Sequence, residues 1–215
     1  MIRNEDNLDI VDFNNLIRSL PFFSIDQLSN FYRNKSYLRI LLSRYENKGK
    51  LIRLKKGLYV AGTYIDLLEK RGKLSSYYEF IAGIMYKPSY LSFDYILYQH
   101  QILTEIPVNF TCATINKTMY IKNKFGNFFY HSLKKDLFTG YHTDIVNGWI
   151  IYKATKAKAL FDFLYIRKNF LINSYSLEEL RLNLEVLTKK DKKEIEKYGK
   201  LLGSKKINWI LKELL

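Results

Sequence analysis

SYLRILLSRYENKGKLIRLKKGLYV, residues 36–60, joins a helix-spaced apolar stripe to a cationic pair of β-rich segments. Leu38, Leu41, Leu42 and Tyr45 recur at i, i+3, i+4 and i+7, which predicts a helix with one buried face closed by Gly49 as its C′ glycine. The opposite face offers Ser36, Tyr37, Arg39, Ile40, Ser43, Arg44 and Asn47. Leu51 to Leu54 then runs into Lys55-Lys56-Gly57, a turn signal, and Leu58-Tyr59-Val60 supplies the return strand of a hairpin. Gly57 provides the positive φ that so tight a turn requires. Within residues 33–56, nine cations stand against Glu46 alone, the steepest charge gradient in the chain.

Upstream, Ile10, Phe13, Ile17 and Leu20 have helical spacing, with Asp9 as N-cap, Asp12 in the first turn and Pro21 as the stop. Ser24 and Gln27 have capping-box spacing and Phe23 can staple onto Leu28, so a second short helix is expected to about Tyr32. Arg33-Asn34-Lys35 is the turn into the third helix. Three helices followed by a hairpin is the order of a winged helix-turn-helix, in which the last helix enters the major groove and the hairpin lies along phosphates. A DNA-binding domain over residues 1–62 is therefore expected. Arg39, Ser43 and Arg44 would approach base edges; Lys35, Lys50, Arg53, Lys55 and Lys56 would hold phosphates. Ser36 and Tyr37 open the recognition helix, where Tyr37 either touches a thymine methyl or sugar or packs on the wing. The competing reading of these cations is a solvated basic face.

The whole 215-residue chain carries +14 at pH 7 with a pI near 9.6, favouring nucleic acid or an anionic membrane face as partner. Lys, Asn, Ile and Tyr are all abundant, a coding bias that makes clustering more informative than the total. A hydrophobic share of 47% permits a sizeable core. The single Cys112 excludes an internal disulfide, and no signal-peptide pattern opens the chain, so a cytoplasmic protein is expected. No apolar run approaches the roughly 18 to 20 residues that span a bilayer, leaving no integral membrane role.

Residues 63–215 read as a separate mixed α/β domain with a helical tail. A helix is expected over residues 74–85, extended chain over 88–91, and a helix capped by Ser92 to about Leu103. Strands follow over 108–115, 119–121, 125–131 and 148–152. Thr155 starts a helix with Ala157, Leu160, Phe161, Leu164 and Tyr165 on one face, and residues 176–215 form two or three charged amphipathic helices.

Two stretches of this domain, PSYLSFDYILYQHQILTEIP (88–107) and ATKAKALFDFLY (154–165), together with RLKKGLY (53–59), resemble the AbiEi family of transcriptional regulators and antitoxins. The likeness runs in the same order over nearly the whole chain. It implies an N-terminal winged helix that represses its own operon and a C-terminal domain that counteracts a co-encoded nucleotidyltransferase-like toxin, with or without physical contact. Ser92, His100, Lys158 and Asp162 are the antitoxin-motif residues so implied. Leu97 and His100 match the first motif, where Tyr95, Ile96 and Gln101 do not. Lys158, Ala159, Leu160 and Asp162 match the second, with Lys156-Ala157 in place of the usual Pro-Glu.

His100, His131 and His142 lack a second ligand at i+3 or i+4, and neither a Ser/His/Asp set nor a glycine-rich phosphate loop occurs. No metal, cofactor or catalytic residue is assigned. Lys158 and Asp162, four apart, read as an intrahelical ion pair stabilising by about 0.2–0.5 kcal/mol. One alternative is a metal-dependent nuclease using Glu46-Asn47-Lys48 or Asp191-Lys192-Lys193. Another is a protein-interaction module, which leaves the basic gradient unexplained. The expected protein is an α+β repressor and antitoxin, monomer or dimer on double-stranded operator DNA.

Overall fold

The computed structural model describes residues 10–29 and 34–215. The N-cap expected at Asp9 and the end of the second helix expected near Tyr32 lie outside the described residues. The chain is mixed α+β with a helical C-terminal tail. It divides into two compact units: Met1–Ile81 with Asn123–Phe125, and Ala82–Lys122 with Gly126–Leu215.

In the first unit, α1 (Ile10–Ile17) precedes β1 (Phe23–Ser24), α2 (Ile25–Ser29) and α3 (Lys35–Asn47). A hairpin of β2 (Leu51–Lys55) and β3 (Leu58–Ala61), then α4 (Gly62–Lys70), follow. The capping box at α2 is present, with Gln27 N–H donating to Ser24 Oγ at 3.1 Å and Ser24 N–H to Gln27 Oε1 at 2.8 Å. Asn34 caps α3, its Oδ1 accepting from the N–H groups of Ser36 and Tyr37 at 3.1 and 3.0 Å. At the other end Gly49 takes φ 69°, and Lys50 N–H reaches back to Tyr45 O at 2.9 Å, which satisfies a carbonyl the helix leaves orphaned. Leu38, Leu42 and Tyr45 are buried as their spacing predicts, packed with Phe13, Ile17, Phe23, Leu28, Leu51 and Tyr59. β1 adds a third strand, pairing Phe23 with Tyr59 in the order β1-β3-β2. So short a strand has no periodicity of its own; the backbone of β3 recruits it.

α5 (Leu74–Met85) follows, and the second unit holds β4 (Ser89–Leu91), α6 (Phe93–Gln99), β5 (Asn109–Thr114), β6 (Met119–Asn123) and β7 (Gly126–Ser132). A 3-10 turn at Lys135–Leu137 leads to β8 (Tyr141–Val146), β9 (Trp149–Ala154), α7 (Lys156–Arg167), α8 (Ser174–Glu178), α9 (Lys189–Leu202) and α10 (Lys205–Leu214). The six-stranded sheet has the order β6-β7-β5-β4-β9-β8, with β5/β7 and β4/β9 parallel and β4/β5 and β8/β9 antiparallel.

Two expectations change here. α6 ends at Gln99 rather than near Leu103, because Gln101 turns left-handed (φ 59°) and Ile102 N–H closes back on Leu97 O at 2.9 Å. β8, not expected from sequence, pairs along its whole length with β9 across the Asn147-Gly148 turn, where φ is 54° and 82°.

Candidate functional site

The surface of α3 and of its following hairpin is built by three local constraints. The Asn34 cap fixes where the helix starts, the apolar stripe fixes which face turns inward, and Gly49 fixes where the chain leaves. Lys35, Ser36, Tyr37, Arg39, Ile40, Ser43, Arg44 and Asn47 consequently all stand exposed. Tyr37 is 43% exposed and Ile40 52%, so the face carries apolar as well as cationic contact area.

On the hairpin, pairing of Arg53 with Tyr59 and of Lys55 with Leu58 leaves Leu54 as an extra residue in β2, a bulge that tucks Leu54 into the interior. Lys50, Arg53 and Lys56 remain exposed, Lys55 half-buried, and Gly57 makes the turn at φ 79°. Among the described residues none of Lys35, Arg39, Arg44, Lys48, Lys50, Arg53, Lys55 or Lys56 forms an ion pair; Lys50 Nζ lies 5.3 Å from the Tyr45 ring centroid. Cations left without carboxylate partners keep their charge available to an external polyanion.

The residues of the second unit's motifs occupy the opposite kind of environment. Every residue of α7 from Ala157 to Leu164 is buried, so the expected single apolar face is corrected to a helix enclosed on all sides. Lys158 and Asp162 are each 0% exposed and ion-paired to one another. Asp162 Oδ2 also accepts from the Tyr90 hydroxyl at 3.0 Å and from Ser92 Oγ at 2.8 Å. Lys158 Nζ lies 5.3, 5.4 and 5.9 Å from the ring centroids of Tyr198, Phe161 and Tyr90. Burial pulls the Lys158 ammonium below its ordinary value and pushes the Asp162 carboxyl above its own; their mutual attraction opposes both shifts, Glu194 further opposes that of Lys158, and the two hydroxyls oppose that of Asp162. The weight of 0.2–0.5 kcal/mol expected for an exposed pair therefore does not apply, since removing one partner here strands a desolvated charge.

Neighbouring groups lock the arrangement. Thr155 Oγ1 caps α7 by accepting from Lys158 N–H at 3.1 Å and donates to Glu194 Oε1 at 2.8 Å, and the Tyr198 hydroxyl donates to the same oxygen at 2.7 Å. Gly140 (φ 73°) lets the chain pass: a Cβ there would overlap Tyr198 Oη and lie 3.1 Å from Lys158 Cδ. Ser92 holds the N-cap position of α6 but its hydroxyl makes no cap; it is spent on Asp162. Directly after it Phe93, fully buried, takes φ 57°, a left-handed conformation costly for a bulky residue.

Ser92, Lys158 and Asp162 are thus brought together with Tyr90 and Thr155, which lie within the same two stretches but carry no assigned motif role there, and with Glu194 and Tyr198, which lie outside them. His100 is not part of this network; it is exposed at the C-terminal end of α6. Of the carboxylates weighed for a nuclease, Asp191 caps α9 through Thr188 and pairs with Lys156 at 3.0 Å. Partial burial raises its pKa, but Thr188 and Lys156 outweigh this and hold the carboxyl below its ordinary value. Among the described residues no three of His, Cys, Asp and Glu converge as metal ligands, and no helix is long and apolar enough to cross a membrane. No family model matches this chain, and no curated protein matches it.

Proposed function

We propose that this chain is a DNA-binding transcriptional repressor whose residues 1–62 act as a winged helix-turn-helix, and that residues 63–215 carry antitoxin activity against a nucleotidyltransferase-like toxin. The observation that carries the DNA reading is the α3–hairpin surface, where eight described cations stand without a carboxylate partner. Helix order supports the same reading, because α2 and α3 are followed at once by the β2–β3 hairpin. In this mechanism α3 enters the major groove with Arg39, Ser43 and Arg44 at base edges. Lys35, Lys50, Arg53, Lys55 and Lys56 hold phosphates, and bound protein occludes the promoter. The antitoxin part rests on the likeness of residues 88–107 and 154–165 to AbiEi motifs. The buried Lys158–Asp162–Ser92 network gives those motifs a scaffolding role, so contact with a toxin, where it occurs, falls to other side chains.

A promoter fusion to the protein's own upstream region, read in cells alongside survival under expression of the neighbouring gene, tests both parts. Arg39→Ala with Arg44→Ala should lift repression and leave protection intact. Unchanged repression in that double variant, with normal protein levels, would remove the DNA reading.

A further inference from the structure

Strand β8 closes one side of the six-stranded sheet, and among the described residues nothing pairs with its outer edge. Natural edge strands are commonly blunted by Lys, Pro or a bulge, since their unpaired backbone groups recruit other strands. Tyr141–Val146, YHTDIV, has none of these, and its register with β9 is unbroken. Thr155 N–H bonds Gly140 O at 2.9 Å, so hydrogen bonding to β9 falls on Gly140 and alternate residues, His142, Asp144 and Val146. The backbone N–H and C=O groups of Tyr141, Thr143 and Ile145 then point outward. On the side of the hairpin shared by these three residues, Ile145 is 76% exposed and Ile150, directly opposite it, 52%; Tyr141 and Tyr152 are also exposed. An apolar patch beside an unblocked edge is the signature of a strand-pairing surface.

We propose that β8 pairs antiparallel with β8 of a second copy of this chain, about a two-fold axis through Thr143. The outward parity of 141, 143 and 145 permits only a few symmetric registers, centred on residue 142, 143 or 144. Centring on 142 or 144 sets His142 against His142, or Asp144 against Asp144. Centring on 143 sets each His142 against the other copy's Asp144, in the non-hydrogen-bonded position where cross-strand side chains approach most closely. Within one chain His142 Nε2 already lies 3.3 Å from Asp144 Oδ1, and Lys153 stands opposite His142 on β9, so the acceptor has donors on both sides of the axis. The same register places Tyr141 against Ile145 of the other copy, covering the most exposed apolar side chain of the strand. A second copy is favoured over an unrelated partner because one short strand supplies both halves of the complementarity. The proposal does not depend on the DNA reading.

Light scattering on the full-length chain at micromolar concentrations should give twice 25.6 kDa. Thr143→Pro, which removes the central N–H, and Ile145→Lys, an exposed substitution that leaves the backbone unchanged, should each raise the dissociation constant about tenfold or more. Thr143→Cys should oxidise to a covalent dimer, since hydrogen-bonded antiparallel partners sit about 5.5 Å apart at Cα, within disulfide reach. Ile145→Cys should not, and Cys112, fully buried, does not compete. His142→Asp alone should weaken the dimer, and adding Asp144→His should restore it. A 25.6 kDa species throughout, or a dimer indifferent to Ile145→Lys and not cross-linked through Thr143→Cys, overturns the proposal.

Discussion

Arg39 and Arg44 on α3 and Lys158 and Asp162 on α7 are all charged residues inside helices, yet the first two stand in solvent and the last two are fully buried. The difference lies in what surrounds them. α3 keeps its charges because Leu38, Leu41, Leu42 and Tyr45 turn toward a core and the rest of the helix does not; α7 is walled in by α6 and α9, which leaves its ion pair fully buried. Exposed cations without partners add little to stability and much to long-range attraction for a polyanion. A buried pair adds nothing to attraction and makes the fold depend on both partners being present. One charge pattern serves recognition and the other serves architecture.

The largest expected effect tests the architectural half. Lys158→Ala should lower unfolding stability by about 3–5 kcal/mol in a denaturant titration, because Asp162 is left charged and desolvated. Lys158→Met with Asp162→Asn, which removes both charges and keeps an acceptor for Tyr90 and Ser92, should recover most of that loss. A single variant within about 0.5 kcal/mol of the parent would show the pair to be solvated and would erase the contrast. Loss of toxin protection in Lys158→Ala, read alone, would therefore report on folding and not on contact.

The recognition half predicts smaller numbers of a different kind. Arg44→Ala should cost roughly 1–3 kcal/mol on upstream DNA and relax sequence preference, while Lys55→Ala with Lys56→Ala should weaken binding to all sequences about equally. Neither should shift the thermal midpoint appreciably, since both sites are outside the core. Uniform loss from Arg44→Ala would reassign that residue to phosphate positioning.

A pH effect is the smallest. Burial, aided by Arg167 and opposed by Asp94, holds the His131 imidazole below its ordinary value of 6.5. Below about pH 6.5 the unfolded chain therefore binds more protons at this position than the folded chain, so its contribution to stability declines as pH falls through that value and is unaffected above it. His100 is shifted the same way by partial burial and Lys156, so His131→Gln should reduce the acid-side loss of thermal stability without abolishing it. An identical pH profile in the variant would show that His131 titrates alike in both states.

What was readable in advance follows the range of the interaction. The Ser24–Gln27 box, the Gly49 and Gly57 turns, the α3 stripe and the Thr155 cap are set within a few residues of one another, and sequence spacing carries them. The burial of Lys158 and Asp162 depends on Tyr90 and Ser92, some 70 positions away, so i,i+4 spacing alone suggested an exposed pair. Ser92 looked like a helix cap for the same reason: its true partner is distant in sequence. β8 was missed because none of its side chains is fully buried: Tyr141, His142, Thr143 and Ile145 are exposed and Asp144 and Val146 half-buried, so the strand carries no apolar-in alternation.

Binding of the full-length protein to its upstream DNA and to random DNA across a range of salt concentrations tests the central claim most directly. If the five cations assigned to phosphates all engage, affinity should fall with a log–log slope of about −4.5, at about −0.9 per contact. Upstream DNA should be preferred over random DNA by about a thousandfold or more. A slope near zero would contradict the cationic face as the binding surface, and equal affinity for the two DNAs would contradict repression.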